Sequence, residues 1–261
     1  MTAGTRPPQL PETDSIREVL MTPWGELTWP ELPTAVAEHR VALLAFGAIE
    51  EHGPHLPLAT DDLVADHLAR RLADRVGLLR LPTVPYGQVW SLEHFPGSLS
   101  VGDDTLVALI TDLARGLVRN EVRGLVLLSA HLGNAAALKR ASRELEGTLP
   151  ALALTYPGLR EVSDRVREAP DSRPGIMHAD EIETSIMLHV APDEVRMERA
   201  RPEYPRYPPD FDSAPVRWDS VSDSGVFGDP TAATAEKGAV VLDHVVGEAE
   251  RLIRGWLRRL P

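Results

Sequence analysis

Residues 50–61 read EEHGPHLPLATD and carry Glu50, Glu51, His52, His55 and Asp61. Carboxylates and imidazoles at this density bind divalent cations or move protons, and Gly53, Pro54 and Pro57 rule out an ordinary helix through them. AHLGN (130–134) adds His131 and Asn134, and HADEIE (178–183) adds His178, Glu181 and Glu183. The chain has no cysteine, so disulfides and thiolate sites are excluded and any metal rests on His, Asp and Glu. Two histidines and three carboxylates exceed what one catalytic zinc needs. They suit two divalent cations about 3.5–4 Å apart sharing a carboxylate. Each segment also has a plainer reading. A histidine after a strand is commonly a hydrogen-bonded surface residue, and HADEIE is a negatively charged helix start favoured by the helix dipole. What points to chemistry is that the segments are to meet beyond the ends of apolar strands.

The elements that must bring them there alternate in type. VALLAF (41–46) is a strand that stops at Gly47. Apolar residues at 64, 68, 72 and 76 keep a helical spacing from Leu63 onward. LLRLPTV (78–84) reads as a second strand, with Pro82 marking an edge or a bend. Leu106, Ile110, Leu113 and Leu117 predict a helix, GLVLLS (124–129) a buried strand, AAALKRASRELEG (135–147) a helix ending at Gly147, and ALALT (151–155) a further strand. EIETSIMLHV (181–190) reads as helical, and a last helix runs from about Thr231 to Leu260, with Gly238 or Gly247 as breaks. Strands alternating with helices predict an α/β fold, a three-layer α/β/α sandwich around a mostly parallel sheet. Ligands in such folds bind beyond the carboxyl ends of the strands, where Glu50, His52, Asp61 and His131 fall. Residues 201–229, rich in proline, aromatics and aspartate, are too long for a plain connection and read as a lid or a subunit contact. Residues 1–20 read as a flexible segment before a single domain over 21–261.

Composition narrows the function classes. A net charge of −12 with no basic run argues against nucleic acid. No apolar run is long enough for a membrane span and the N-terminus lacks an apolar signal core, so a cytoplasmic location is expected.

The segments also resemble a known family. EEHGPHLPLATD is similar to the first motif of the creatininase family, Glu-Gln-His-Gly-Pro-His with a later Asp. SAHLGN resembles its Asn-Gly-His-Gly-Gly-Asn segment, HADEIETSIML its His-Ala-Gly-x-x-Glu-Thr-Ser segment, HFPGSLSV (94–101) its His-x-x-Phe-Pro-Gly-Thr region, and GVFGDPTAATAEKG (225–238) its C-terminal segment. The resemblance covers roughly residues 40–240. It implies a hydrolase of C–N bonds with two divalent ions per chain (zinc, manganese or iron). Glu50, Asp61 and His131 would hold one ion, His52, Asp61 and Glu183 the other, and His178 would carry a proton to the leaving group. A homo-oligomer, a hexamer by family resemblance, is implied too. Three departures matter. Glu51 stands where the family has Gln. Gly133 stands where creatininases carry a carboxylate. RPGIM (173–177) has no tryptophan where they place one before the histidine. Creatinine itself is therefore not the expected substrate. The expected reaction is hydrolysis of a non-standard or cyclic amide in a small molecule. The alternatives are trimming of the C-terminus of a modified precursor peptide, as in the mycofactocin-type branch that the C-terminal half resembles, and a non-catalytic binding or assembly protein of the same fold.

Overall fold

The structure is a computed structural model that describes residues 23–260, so the flexible segment expected over 1–20 lies outside the described residues. Four parallel strands, β1 (Val41–Phe46), β2 (Leu79–Arg80), β3 (Gly124–Ser129) and β4 (Ala151–Thr155), form a sheet in the order β2-β1-β3-β4. Side chains of a strand alternate between its faces, and β1 divides its residues accordingly. Val41, Leu43 and Ala45 pack into a core with α2 (Thr60–Val76), α5 (Leu159–Val166), α6 (Glu181–Val190) and α7 (Ala235–Leu257). Ala42, Leu44 and Phe46 pack into the opposite core with α1 (Leu32–His39), α3 (Asp103–Arg119) and α4 (Ala135–Glu144). Every residue of β1 and β3 is buried, which is why both read as unbroken apolar runs. The three-layer α/β/α sandwich expected from the sequence is the observed fold.

Register then sets the site. Phe46 pairs with Ser129, and Ser129 with Thr155, so the three strands end level. The chain leaving each one delivers Glu50, His131 and Tyr156 to one rim.

Four elements differ from the sequence reading. The strand expected over 78–84 is reduced to Leu79–Arg80, because Pro82 has no N–H for the ladder; Val84 rejoins β1 through a single bridge to Phe46. Helix α2 begins at Thr60, not Leu63, so Asp61 and Asp62 occupy its first turn, where the helix dipole favours them. Helix α4 ends at Glu144, ahead of Gly147. Helix α7 runs unbroken through Gly238 and Gly247. Gly238 is where α7 crosses α6: a Cβ there would lie 1.9 Å from the Ser185 carbonyl oxygen. The short helices α1 and α5 had no periodic signature long enough to stand out.

Residues 201–229 fold back over the strand ends. Glu203 bridges to Gly228, and the Trp218 N–H donates to the Ser91 carbonyl at 2.8 Å.

Candidate metal centre

Each expected site residue is buried, and all six meet at the rim. Glu50, Asp61 and His131 can place one ligand atom each within 4.8 Å of one another, and so can His52, Asp61 and Glu183, with Asp61 common to both groups. A third group, Glu50, His52 and His178, satisfies the same geometry.

The imidazoles follow one rule. Each spends one ring nitrogen on a fixed partner and turns the other to the carboxylates. His131 donates from Nε2 to the Gln88 carbonyl at 2.7 Å, leaving Nδ1 at 3.1 Å from Glu50 Oε1 and 3.0 Å from Asp61 Oδ2. His52 donates from Nδ1 to the Glu50 carbonyl at 3.2 Å, leaving Nε2 at 3.5 Å from Asp61 and 3.6 Å from Glu183. This is how metal-binding histidines are usually oriented, with the second nitrogen fixing tautomer and ring direction. Asn134 supports His131 indirectly. Its side-chain oxygen accepts from the Gln88 N–H at 2.9 Å, and its amide donates to the Gly47 carbonyl at 3.0 Å. Gly133 is required here, since a Cβ would lie 2.3 Å from His131 Nε2 and 2.4 Å from the Gln88 carbonyl oxygen.

His178 obeys the same rule with a different partner. Its Nε2 donates to Glu51 at 2.9 Å, and its Nδ1 faces Glu50 at 3.9 Å and Glu183 at 4.0 Å. Glu51 is anchored in turn by the Gly53 N–H at 2.8 Å. Gly225 makes room for it: a Cβ at that position would fall 1.8 Å from Glu51 Oε2. The sequence marks Glu51 as a departure from the family's Gln and leaves open which residue it engages. Trp218 and Phe227 meet the His178 ring edge-on, at centroid distances of 5.7 and 5.9 Å.

The acidic residues of HADEIE divide by role. Asp180 caps α6, accepting from the Ile182 and Glu183 N–H groups, and pairs with Arg167 at 2.7 Å. Glu181 turns away to Lys237 at 2.7 Å and to the backbone of Glu168 and Ala169. Only Glu183 faces the centre. Ala179, whose N–H donates to Glu183 at 2.6 Å, holds φ at 50°, a left-handed value costly for any residue but glycine.

The electrostatics fit a cation. Burial lowers the affinity of His131 and His52 for protons, but Glu50 and Asp61 beside the first, and Glu183 and Asp61 beside the second, outweigh it and push both well above the ordinary histidine value. Burial raises Glu50, and His131 does not fully offset it. At Asp61 and Glu183, burial is overcome by the neighbouring imidazoles, and both carboxyls fall below their usual range. Glu50 Oε2, His52 Nε2 and Asp61 Oδ2 are buried without a hydrogen-bond partner among the described residues. Buried polar atoms without partners are costly, and a divalent cation satisfies carboxylate oxygens and imidazole nitrogens together. The donor set, all oxygen and nitrogen, suits zinc or manganese.

The centre opens into a chamber of about 220 Å3, whose walls include Ser91, Leu92, Leu132, Tyr156, Met177 and Trp218. Of the nearby aromatics, Tyr156 and Trp218 line it, whereas Phe95 packs with Val89 and Leu92 and Trp90 stacks under Arg217 at 3.9 Å.

Residues 25–253 match the creatininase family, described as creatinine amidohydrolase. The chain belongs to the creatininase family. It is 31% identical over 253 residues to the mycofactocin precursor peptide peptidase of Mycobacterium tuberculosis, covering 89% of this chain and 91% of that one. It is also 31% identical over 245 residues to the creatinine amidohydrolase of Pseudomonas putida, covering 85% and 92%. A manganese form of creatininase superposes with a TM-score of 0.77 at 31% identity, over 89% of this chain and 97% of that one. A zinc–zinc form of a mutant creatininase does so equally, with a TM-score of 0.77 at 31% identity over 89% and 96%. Creatininase-family members are metal-dependent amidohydrolases, and the clustered carboxylates and imidazoles of this member suit that chemistry. Among the described residues no helix is long and apolar enough to cross a membrane.

Proposed function

We propose that residues 21–261 act as one metallohydrolase domain that cleaves a C–N amide bond in a small molecule other than creatinine. Glu50, Asp61 and His131 would hold one divalent ion, and His52, Asp61 and Glu183 a second, with Asp61 between them. The observation that carries this reading is the sharing of Asp61 by two buried ligand groups whose atoms lie within 4.8 Å. Divalent ions bound there supply Lewis acidity toward an amide carbonyl and lower the pKa of water to about 7.

The chain's own residues supply the rest. Expulsion of an amine requires a proton on the departing nitrogen. His178 would deliver it as an imidazolium: Nε2–H is donated to Glu51, which leaves Nδ1 as the atom that takes up and gives away the second proton. Burial alone would strip that proton; the Glu51 carboxylate outweighs it and keeps the imidazole above its ordinary value. A well-placed acid of this kind contributes about 10²–10⁴-fold. Trp218, Leu92 and Met177 wall the chamber and limit water around the reacting groups.

A second reading, trimming of a peptide C-terminus, is favoured by the likeness to mycofactocin precursor peptide peptidases, which matches that to creatinine amidohydrolase in identity. The test is a screen of lactams, formamides and C-terminal dipeptides with protein loaded with zinc or manganese. Metal-dependent hydrolysis of at least one class is expected. A loaded, folded protein inert toward all of them would leave the non-catalytic reading standing.

A further inference from the structure

Beside the metal chamber lies a second hollow, of about 210 Å3, with Leu132, Tyr156, Gly175 and Met177 forming a wall common to both. Leu159, Ile176 and Ser163 belong to the second hollow alone. The metal chamber by itself, at about 220 Å3, falls short of the roughly 300–1,000 Å3 of small-molecule sites. The two together reach that range.

The lining says what would enter. Its walls are largely aliphatic and aromatic. Its charged residues balance: Arg167 is engaged by Asp180 at 2.7 Å and Asp171 at 3.3 Å, and Arg160 and Asp164 lie one turn apart on α5 with opposite signs. Two hydroxyls complete it. Tyr156 and Ser163 are each 5% exposed, yet Tyr156 Oη and Ser163 Oγ have no hydrogen-bond partner among the described residues. Tyr156 also holds φ at 40°, strain of the kind retained at ligand sites. An uncharged apolar group attached to a backbone that offers carbonyl and N–H groups would fill the walls and satisfy the hydroxyls. An unsubstituted small amide would do neither.

We propose that this hollow receives the bulky apolar side chain of the residue next to the scissile amide, so that the substrate is peptide-like: an acylated amino acid or a peptide end. The inference rests on the amidohydrolase reading and narrows it.

The test compares N-acetyl-Ala-Ala, N-acetyl-Ala-Leu and N-acetyl-Leu-Ala on zinc-loaded protein, with product release followed by mass spectrometry and binding by calorimetry. One of the leucine peptides is expected to exceed the alanine peptide about 10–200-fold in kcat/KM. Ile176→Trp and, independently, Leu159→Phe should erase that preference by lowering kcat/KM on the leucine peptide toward that on N-acetyl-Ala-Ala, with metal content intact. Equal handling of all three peptides, or a preference that survives both substitutions, overturns the proposal. If none is hydrolysed, the calorimetric arm decides: tighter binding of a leucine peptide that Ile176→Trp abolishes upholds the hollow as a side-chain site, and equal affinities reject it. Absence of turnover on every amide tested counts separately against the hydrolase reading.

Discussion

Asp61 is the residue on which two ligand groups converge, so its loss cannot be local. Asp61→Ala is expected to abolish turnover and to lower the content of both metals, read by elemental analysis of the purified protein; a variant that keeps full metal content would show that Asp61 is not the shared ligand. His178 stands in a different position. Its Nδ1 lies 3.9 Å and 4.0 Å from its nearest carboxylates, farther than the 3.0 Å and 3.5 Å nearest approaches of His131 and His52, yet it also completes a possible third ligand set with Glu50 and His52. His178→Ala should therefore retain metal while losing about 10²–10⁴ in rate, and loss of metal instead would make it a ligand. Glu51 acts through His178. Glu51→Ala is expected to lose about 10–100-fold in rate with metal content intact, and Glu51→Gln, which can still accept the Nε2–H, should recover part of that loss. If Glu51→Gln and Glu51→Ala are equally impaired, the hydrogen bond is not what matters. The ligand-type residues were legible because chemistry restricts their types and motif order fixes their spacing. The role of Glu51 was not, because its partner lies 127 positions away and nothing local couples them.

Strands and long helices were readable from periodicity, because full burial of β1 and β3 and the apolar faces of α2 and α3 leave an imprint at intervals of a few residues. What failed was the meaning of glycine. In sequence, Gly238 and Gly247 are equivalent interruptions of a helix. In the structure they are opposites: a Cβ at Gly238 would run into the α6 backbone at Ser185, whereas one at Gly247 would meet nothing within 4 Å. Gly238→Ala should lower stability by about 1–3 kcal/mol through overpacking and disturb Glu183, which lies on α6 with Ser185. Gly247→Ala should raise stability by about 0.5–1 kcal/mol, the ordinary gain for glycine replaced inside a helix. Thermal or urea unfolding of the two variants checks the pair. Equal effects would mean that the α6–α7 crossing is looser than 1.9 Å implies. Pro82 teaches the same lesson for strands: its missing N–H shortens β2 to two residues, although the apolar run continues on both sides.

For the molecule as a whole, the balance between buried carboxylates and imidazoles at the centre sets how stability responds to pH. In the metal-free protein, His52, His131 and His178 bind protons more tightly than they would in the unfolded chain. Groups whose folded pKa is raised contribute stability that is complete below about pH 6.5, the unfolded histidine value, and is lost as pH climbs through the folded values. His55 shifts the other way, to about 4, so its contribution is already constant above pH 6.5 and does not blur the trend. Metal-free protein is thus expected to weaken as pH is raised from about 6.5. Metal-loaded protein should do the reverse, because cations compete with protons for the same nitrogens and bind more tightly as those protons leave; at a free-metal level of about 100 Kd the gain is about 2.7 kcal/mol. Chelator-treated and zinc-loaded samples unfolded side by side should give stabilities that diverge with rising pH and converge toward pH 5. Parallel curves would mean that the histidines bind no cation, and divergence that persists in Asp61→Ala would place the cation elsewhere in the molecule.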